Sequence, residues 1–372
     1  MPTRHRFAGC LLAIFAAIAV DAPTAAASGS TDSILNVMER VANWQIAHPS
    51  KHALTDWTQG TGDAGFMALA GISKNGKYLD AMHNAGTRTN WEPGPRLYDA
   101  DDICVGQMYA EMYLIQHDKA ELAPTQSRLD NILAHPTHVT DYTFANGGKE
   151  ARENWSWCDS LFMGPPTWIR VYAATGDKRY LEFATKNWWR AYDFLYDRDE
   201  HLFYRDSTYF QRREANGKKI FWSRGNGWVL AGLARFIPYL PKDFSERSRF
   251  EAVFVAMSEK IAACQQSDGL WRASLLDPAS YPLAETSGSS FYTFALAWGI
   301  NQGLLPRERF KPVVERAWNA LTACVDSDGK LTHVQPIGAD PKHFDPSSTE
   351  VYGVGGFLLA GTEMYHLAGN TP

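Results

Sequence analysis

What this 372-residue chain lacks narrows its function first. It has 36 Lys+Arg against 41 Asp+Glu, so there is no basic surplus of the kind that grips a nucleic-acid backbone. Past residue 27 no apolar run is long enough to cross a bilayer. There is no Pro/Gly/Ser linker and no charge run to mark a domain boundary. Cysteine is scarce, 5 in all. Cys104, Cys158, Cys264 and Cys324 have none of the C-x-x-C spacing of a zinc or redox site. Small buried apolar residues describe them best.

The first 27 residues read differently. Arg4, His5 and Arg6 precede an apolar run from Phe7 to Val20 and then "TAAASGS", the order of a secretory signal with cleavage after Ala27. The expectation is an exported protein, periplasmic or extracellular, whose residues 28–372 form one catalytic domain. Without Arg4, Arg6 and Asp21 the balance is 34 basic against 40 acidic residues, or −6.

What is abundant is aromatic: 13 Trp and 16 Tyr, with FWY at 13%. An apolar ring with a polar handle suits stacking on sugars as well as core packing.

Six segments share one character, a loop rich in Asp, Ser, Gly or Trp running into an apolar helix with small residues: "GDAGFMALAGI", "DDICVGQMYAEMY", "WCDSLFMGPPTWIRVY", "RGNGWVLAGLARF", "SGSSFYTFALAWGI" and "YGVGGFLLAGTEMY". Between them lie helix-period segments with charged faces, such as "KRYLEFATKNWWRAYDFLYD". A turn signature follows some of these: "ACQQSDGLW" and "ACVDSDGKL" align 60 residues apart, and "LYDRDEHLF" is a looser copy. Helices apolar all round belong at a crowded centre and amphipathic ones outside. Six of each in alternation predict an all-α (α/α)6 barrel. An open solenoid would need polar capping repeats, and the last helix is as apolar as the rest.

In such a barrel the loops entering the inner helices meet at one end. Asp63, Asp101, Asp102, Trp157, Asp159, Arg224, Ser287 and Tyr352 are therefore candidates to line one cavity, while Asp63 and Ser287 also fit helix caps. Asp159, in "WSWCDSLFMGPP", is the strongest candidate for chemistry. Trp155, Trp157 and Phe162 could wall it in and raise its pKa, as a general acid near neutral pH requires. Gly164-Pro165-Pro166 predicts a short or kinked helix about a turn later. Asp102, beside Asp101 at a helix start, is the second acid; facing Asp159, it would raise one of the two pKa values. In "FWSRGNGWV" the Asn-Gly and Gly-Trp pairs predict a loop with positive φ. There Arg224, flanked by Trp222 and Trp228, offers a planar fork for a substrate carboxylate.

These motifs, "WCDSLFMGPP" and "FWSRGNGWV" with the upstream "DD…G", resemble glycoside hydrolase family 105, the unsaturated rhamnogalacturonyl hydrolases, related to the unsaturated glucuronyl hydrolases of family 88. The resemblance implies a metal-free, cofactor-free enzyme that removes a 4,5-unsaturated uronic acid from the non-reducing end of an acidic oligosaccharide. It implies Asp159 as general acid and then base, Asp102 as its assistant, and Trp157, Arg224 and Trp228 as substrate contacts. Some relatives carry a histidine where this chain has "LFYRDSTYF", a departure that leaves Tyr204, Arg205 and Asp206 without an assigned role. The competing readings are another (α/α)6 enzyme, such as an epimerase or a lyase, and a non-catalytic glycan-binding protein.

Overall fold

The computed structural model describes residues 30–369; the proposed signal segment lies outside them. The described chain is mostly helical, and its helices alternate between two rings. The outer ring holds α1 (Thr31–Ala47), α3 (Lys77–Arg88), α5 (Lys119–Ala134), α8 (Lys178–Leu195), α10 (Arg247–Ala263) and α12 (Arg307–Ala323). The inner ring holds α2 (Trp57–Ile72), α4 (Gly106–Gln116), the broken pair α6 (Ser160–Met163) and α7 (Pro165–Thr175), α9 (Ser223–Phe236), α11 (Thr286–Asn301) and α13 (Val351–Gly369).

Burial separates the rings as the patterning predicts. Every residue of α9 is buried, and so is α11 from Thr286 to Ile300. In α8 burial follows helical spacing through Tyr180, Ala184, Trp188, Ala191 and Leu195, which leaves Lys178, Lys186 and Arg190 toward solvent. Around the inner ring each helix packs on the next, α2 on α4, α4 on α7, α7 on α9, α9 on α11, α11 on α13, and α13 back on α2. The barrel is therefore closed, an (α/α)6 toroid. The last outer position is filled by α1, which packs on α13 from the other end of the chain.

Glycine permits the closest approach in the ring. A Cβ on Gly65 would stand 2.4 Å from the Gly355 carbonyl oxygen, and one on Gly355 2.2 Å from that of Thr61. These contacts bring α2 and α13 together backbone to backbone.

The Ser-Asp-Gly turns follow an outer helix in the chain and pack against the next outer helix in space. Gly269 and Gly329 have φ of 91° and 96°, and in the looser copy His201 takes the same place with φ 54°. The Gly269 turn lies against the Arg316 carbonyl of α12, and the Gly329 turn against the Arg40 carbonyl of α1. In the looser copy Glu200 pairs with Lys260 of α10 at 2.5 Å. The only regular strands among the described residues are two short antiparallel pairs: β1 (Tyr196–Asp197) with β2 (Leu202–Phe203), and β3 (Trp271–Arg272) with β4 (Ala284–Glu285).

Candidate active site

The third inner helix breaks where the sequence predicts. α6 ends after four residues, and α7 restarts at Pro165, whose missing N–H costs nothing at a helix start. Asp159 stands at the N-cap of α6 but caps nothing with its side chain. Its loop is fixed by other groups: the Cys158 N–H donates to the Arg205 carbonyl at 2.8 Å, and the Ser160 hydroxyl donates to the Trp157 carbonyl at 2.5 Å. The carboxyl of Asp159 is thereby left to face an open cleft of about 300 Å³. Asp101, Arg152, Trp157, Met163 and Arg205 line its depth, with Asp56, Trp57, Arg96, Ile337 and Gly338 also on its wall.

Burial dominates the electrostatics of Asp159. Its side chain is 14% exposed, and desolvation holds its pKa above the usual carboxylate range against the pull of Arg205, Cys158 and Arg224. Arg205 is the nearest cation, with Nε 3.7 Å from Asp159 Oδ2. The Cys158 thiol donates to the same oxygen at 3.4 Å.

The second carboxyl of the cleft is Asp101, on a 3-10 turn at 100–103 capped by the Asp99 side chain. Burial pushes it up to about 7; Arg152 pulls it down, while Asp99 and Asp159 push it further up. Arg152 ties the group together. It donates to Asp99 through Nε at 2.9 Å, pairs with Asp101, and lies over the Trp157 ring with its guanidinium carbon 4.5 Å from the centroid. Two carboxyls that tend to keep a proton thus share a cleft with the guanidinium groups of Arg96, Arg152 and Arg205.

Asp102, the neighbour of Asp101, turns the other way. Its two oxygens accept from Arg96 Nε at 3.0 Å and Nη2 at 2.8 Å, and it does not line the cleft. Arg224 is likewise behind the wall, 1% exposed. Its Nη1 donates to the Gln335 carbonyl at 2.6 Å and its Nη2 to the Pro336 carbonyl at 2.9 Å. Trp222 donates from Nε1 to Gln335 Oε1 at 2.9 Å. Trp228 packs in the core on Phe162 and Phe291, and meets Trp57 edge-on at 5.8 Å. Of the residues singled out by sequence, Asp101, Trp157 and Asp159 line the cleft; Asp102, Arg224, Trp222 and Trp228 support it from behind.

Three local expectations are corrected. Arg224, Gly225 and Gly227 lie inside α9, none with positive φ. Gly225 is small because a Cβ there would stand 2.8 Å from the Trp222 ring and 3.0 Å from Cys158 Sγ. Asp63 is no cap, since α2 begins at Trp57 and Asp56 caps it through Thr58 N–H. Nor does Ser287 cap α11, where Glu285 accepts from Ser287 and Gly288 N–H.

The residues missed are Asp56, Trp57, Arg96, Arg152, Arg205 and Ile337. The Asp56–Trp57–Thr58 capping pattern could have revealed the true start of α2 and its tryptophan. Arg205 sat in the segment without an assigned role. Arg152 lies on a single 3-10 turn, Ala151–Glu153, and Ile337 in an irregular loop, neither with a periodic signal.

A second cavity, of about 210 Å³, lies beside α5 and α8 and is lined by Tyr98, Pro136, Trp155 and Phe183 among others. It brings no two carboxyls together, and Glu153 there accepts from the Thr137 hydroxyl at 2.5 Å. Among the described residues no group of three or more His, Cys, Asp or Glu is placed to hold a metal ion, and no helix is long and apolar enough to cross a membrane. The four cysteines from Cys104 onward are free thiols.

Residues 31–368 match the model of Glycosyl Hydrolase Family 88. A curated relative from Formosa agariphila, an unsaturated 3S-rhamnoglycuronyl hydrolase, is 41% identical over 345 residues, 89% of this chain and 90% of the relative. Among solved structures, one described as a polysaccharide lyase superposes with a TM-score of 0.83 at 30% identity, covering 92% of this chain and 99% of its own. A family 88 glycosyl hydrolase from Bacteroides vulgatus superposes with a TM-score of 0.81 at 29% identity, covering 91% and 99%.

Proposed function

Because the chain belongs to Glycosyl Hydrolase Family 88 and is a glycosidase, we propose that it removes a 4,5-unsaturated uronic acid from the non-reducing end of acidic oligosaccharides. We propose further that Asp159 is its acid and base. The single observation that carries this reading is a carboxyl kept above its usual pKa by burial while facing an open cleft. Protonation of an enol-ether carbon needs such a donor.

The steps follow from the resemblance and the geometry. Asp159 delivers its proton to C4 of the unsaturated ring, and the positive charge that develops at C5 and the ring oxygen takes up water. The Asp159 carboxylate accepts that water's proton. The resulting hemiketal at C5 opens, C1 becomes an aldehyde, and the sugar once attached there leaves with a hydroxyl group. Atoms balance with one water consumed, and the anomeric bond is never attacked directly.

The geometry favours Asp101 over Asp102 as the assisting acid, since Asp101 lines the cleft while Asp102 holds Arg96. It favours Arg205 over Arg224 as the partner of the uronyl carboxylate: Arg205 lies in the cleft next to Asp159, and Arg224 is occupied by backbone carbonyls. Trp157 then forms the wall. The names of the curated relatives support rhamnose as the sugar attached. The basic, apolar and small-residue order of residues 1–27 supports export.

A second reading, lyase chemistry, is favoured by the solved relative described as a lyase. The sign of one signal separates the two. A lyase creates the conjugated enol ether and raises ultraviolet absorbance; the hydrolase destroys it. Lyase-generated oligosaccharides should lose absorbance with this enzyme, and Asp159→Asn should stop the loss. A rise in absorbance, or full activity in Asp159→Asn, overturns the proposal. An epimerase reading has no histidine base on the cleft wall among the described residues to support it.

A further inference from the structure

We propose, resting on the hydrolase reading, that Ile337 selects the sugar attached to the uronyl group by packing on the methyl of a 6-deoxyhexose. The enzyme acts on a terminal residue, so the unsaturated ring occupies the depth of the cleft beside Asp159 and the next sugar emerges at the mouth. Exposure orders the wall accordingly. Trp157 and Met163 are each 1% exposed, whereas Ile337 is 50% exposed and still lines the cleft.

A lone exposed aliphatic side chain is ordinary on a protein surface. Ile337 differs in how firmly it is presented. The backbone on one side of it is held by Arg224 at the Gln335 and Pro336 carbonyls. The Tyr352 hydroxyl donates to the Gln335 carbonyl at 2.5 Å, and the Gln335 N–H donates to Glu285 Oε1 at 3.2 Å. On the other side, Gln335 Nε2 donates to the Asp340 carbonyl at 3.1 Å and the Tyr209 hydroxyl to the Ala339 carbonyl at 2.9 Å. A loop fastened at both ends keeps its tip in place without further ordering on binding.

The chemistry of the tip chooses the ligand. Sugar faces stack on rings, whereas a branched aliphatic side chain offers neither a flat face nor a hydrogen bond. Its complement is a methyl group, and a hydroxymethyl in the same place would surrender hydrogen bonds to water. The other mouth residues are charged or aromatic (Asp56, Arg96, Trp57), so among the described residues Ile337 supplies the one aliphatic side chain there.

The test is a matched pair of unsaturated disaccharides whose second sugar is rhamnose or L-mannose, differing only at C6. The wild-type enzyme should prefer the rhamnoside in kcat/KM by roughly tenfold. Ile337→Ala should bring the ratio below about 2 by losing rate on the rhamnoside alone, and Ile337→Val should keep most of it. Thermal melting of both variants should match wild type, because the side chain is half exposed. A wild-type ratio near one, or an unchanged ratio in Ile337→Ala, overturns the role of Ile337 while leaving the hydrolase reading intact. Loss of absorbance from neither substrate overturns both.

Discussion

Arg205 offers the sharpest test of the electrostatics, because its effect has a sign as well as a size. Its Nε lies 3.7 Å from Asp159 Oδ2, and the two side chains are 12% and 14% exposed. A unit charge pair at this separation is worth about 4 kcal/mol at an effective dielectric constant near 20. Water at the cleft and the desolvation of Arg205 reduce this, but the sign stands: Arg205 draws the Asp159 carboxyl pKa down against burial. Arg205→Met removes the attraction and also frees Asp206, which Arg205 holds at 2.7 Å; both changes push the Asp159 pKa up, and only the weaker pulls of the Cys158 thiol and Arg224 remain against them. The proposed mechanism requires Asp159 protonated, so on that proposal activity is lost as pH rises through its pKa. The alkaline limb of kcat/KM should therefore move upward in Arg205→Met and stay in place in Arg205→Lys. The substrate carboxylate titrates on the acid side and leaves this limb alone. An unmoved limb, or one displaced downward, refutes the pairing of Arg205 with the acid.

Other outcomes follow from the same geometry. Asp159→Asn should cut kcat by roughly 10²–10⁴-fold with unchanged melting, measured as loss of ultraviolet absorbance. Arg224→Ala leaves the Pro336 carbonyl without its donor and the Gln335 carbonyl with the Tyr352 hydroxyl alone; it should lower stability by about 2–4 kcal/mol, visible in chemical denaturation, and reduce kcat/KM alike for carboxylate and esterified substrates. Gly65→Ala, forced against the Gly355 carbonyl, should cost more than about 3 kcal/mol and yield little folded protein in circular dichroism. Burial pushes Asp63 up to about 8, above its unfolded value, so the native state holds a proton that the unfolded chain has released. Its contribution to stability falls as pH rises from about 4 to 8. The melting temperature of Asp63→Asn relative to wild type should therefore climb across that window; a flat difference would show that Asp63 does not hold the proton.

The features legible in sequence were those carried by neighbouring residues. Alternating helix types exposed the two rings because apolar periodicity is local, and the break after Asp159 was visible because Gly164-Pro165-Pro166 stops a helix by itself. Facing direction was harder. Asp101 and Asp102 are adjacent on a tight turn, so about 120° of rotation decides which one meets the cleft, and the Asp99 cap sets that rotation. Arg224 was legible as important but not in its role, since its partner Gln335 lies 111 residues away. The glycines after it read as a strained loop when their purpose is contact with Trp222 and Phe291. Arg152 and Ile337 reach the cleft on loops whose course no periodicity records.

The pairing of α1 with α13 has a consequence for how the molecule is made. Before Val351–Gly369 takes its place, α2 and α11 each present a flank on which α13 packs in the finished barrel. Every earlier hairpin can stack on its predecessor as it forms, but the seam joins segments about 300 residues apart in the chain, a contact that forms slowly and leaves apolar surface bare meanwhile. Assembly is thus completed by a single wedge-like insertion. Agents that capture exposed apolar helices should act on the chain up to that step and lose their hold once the wedge is seated.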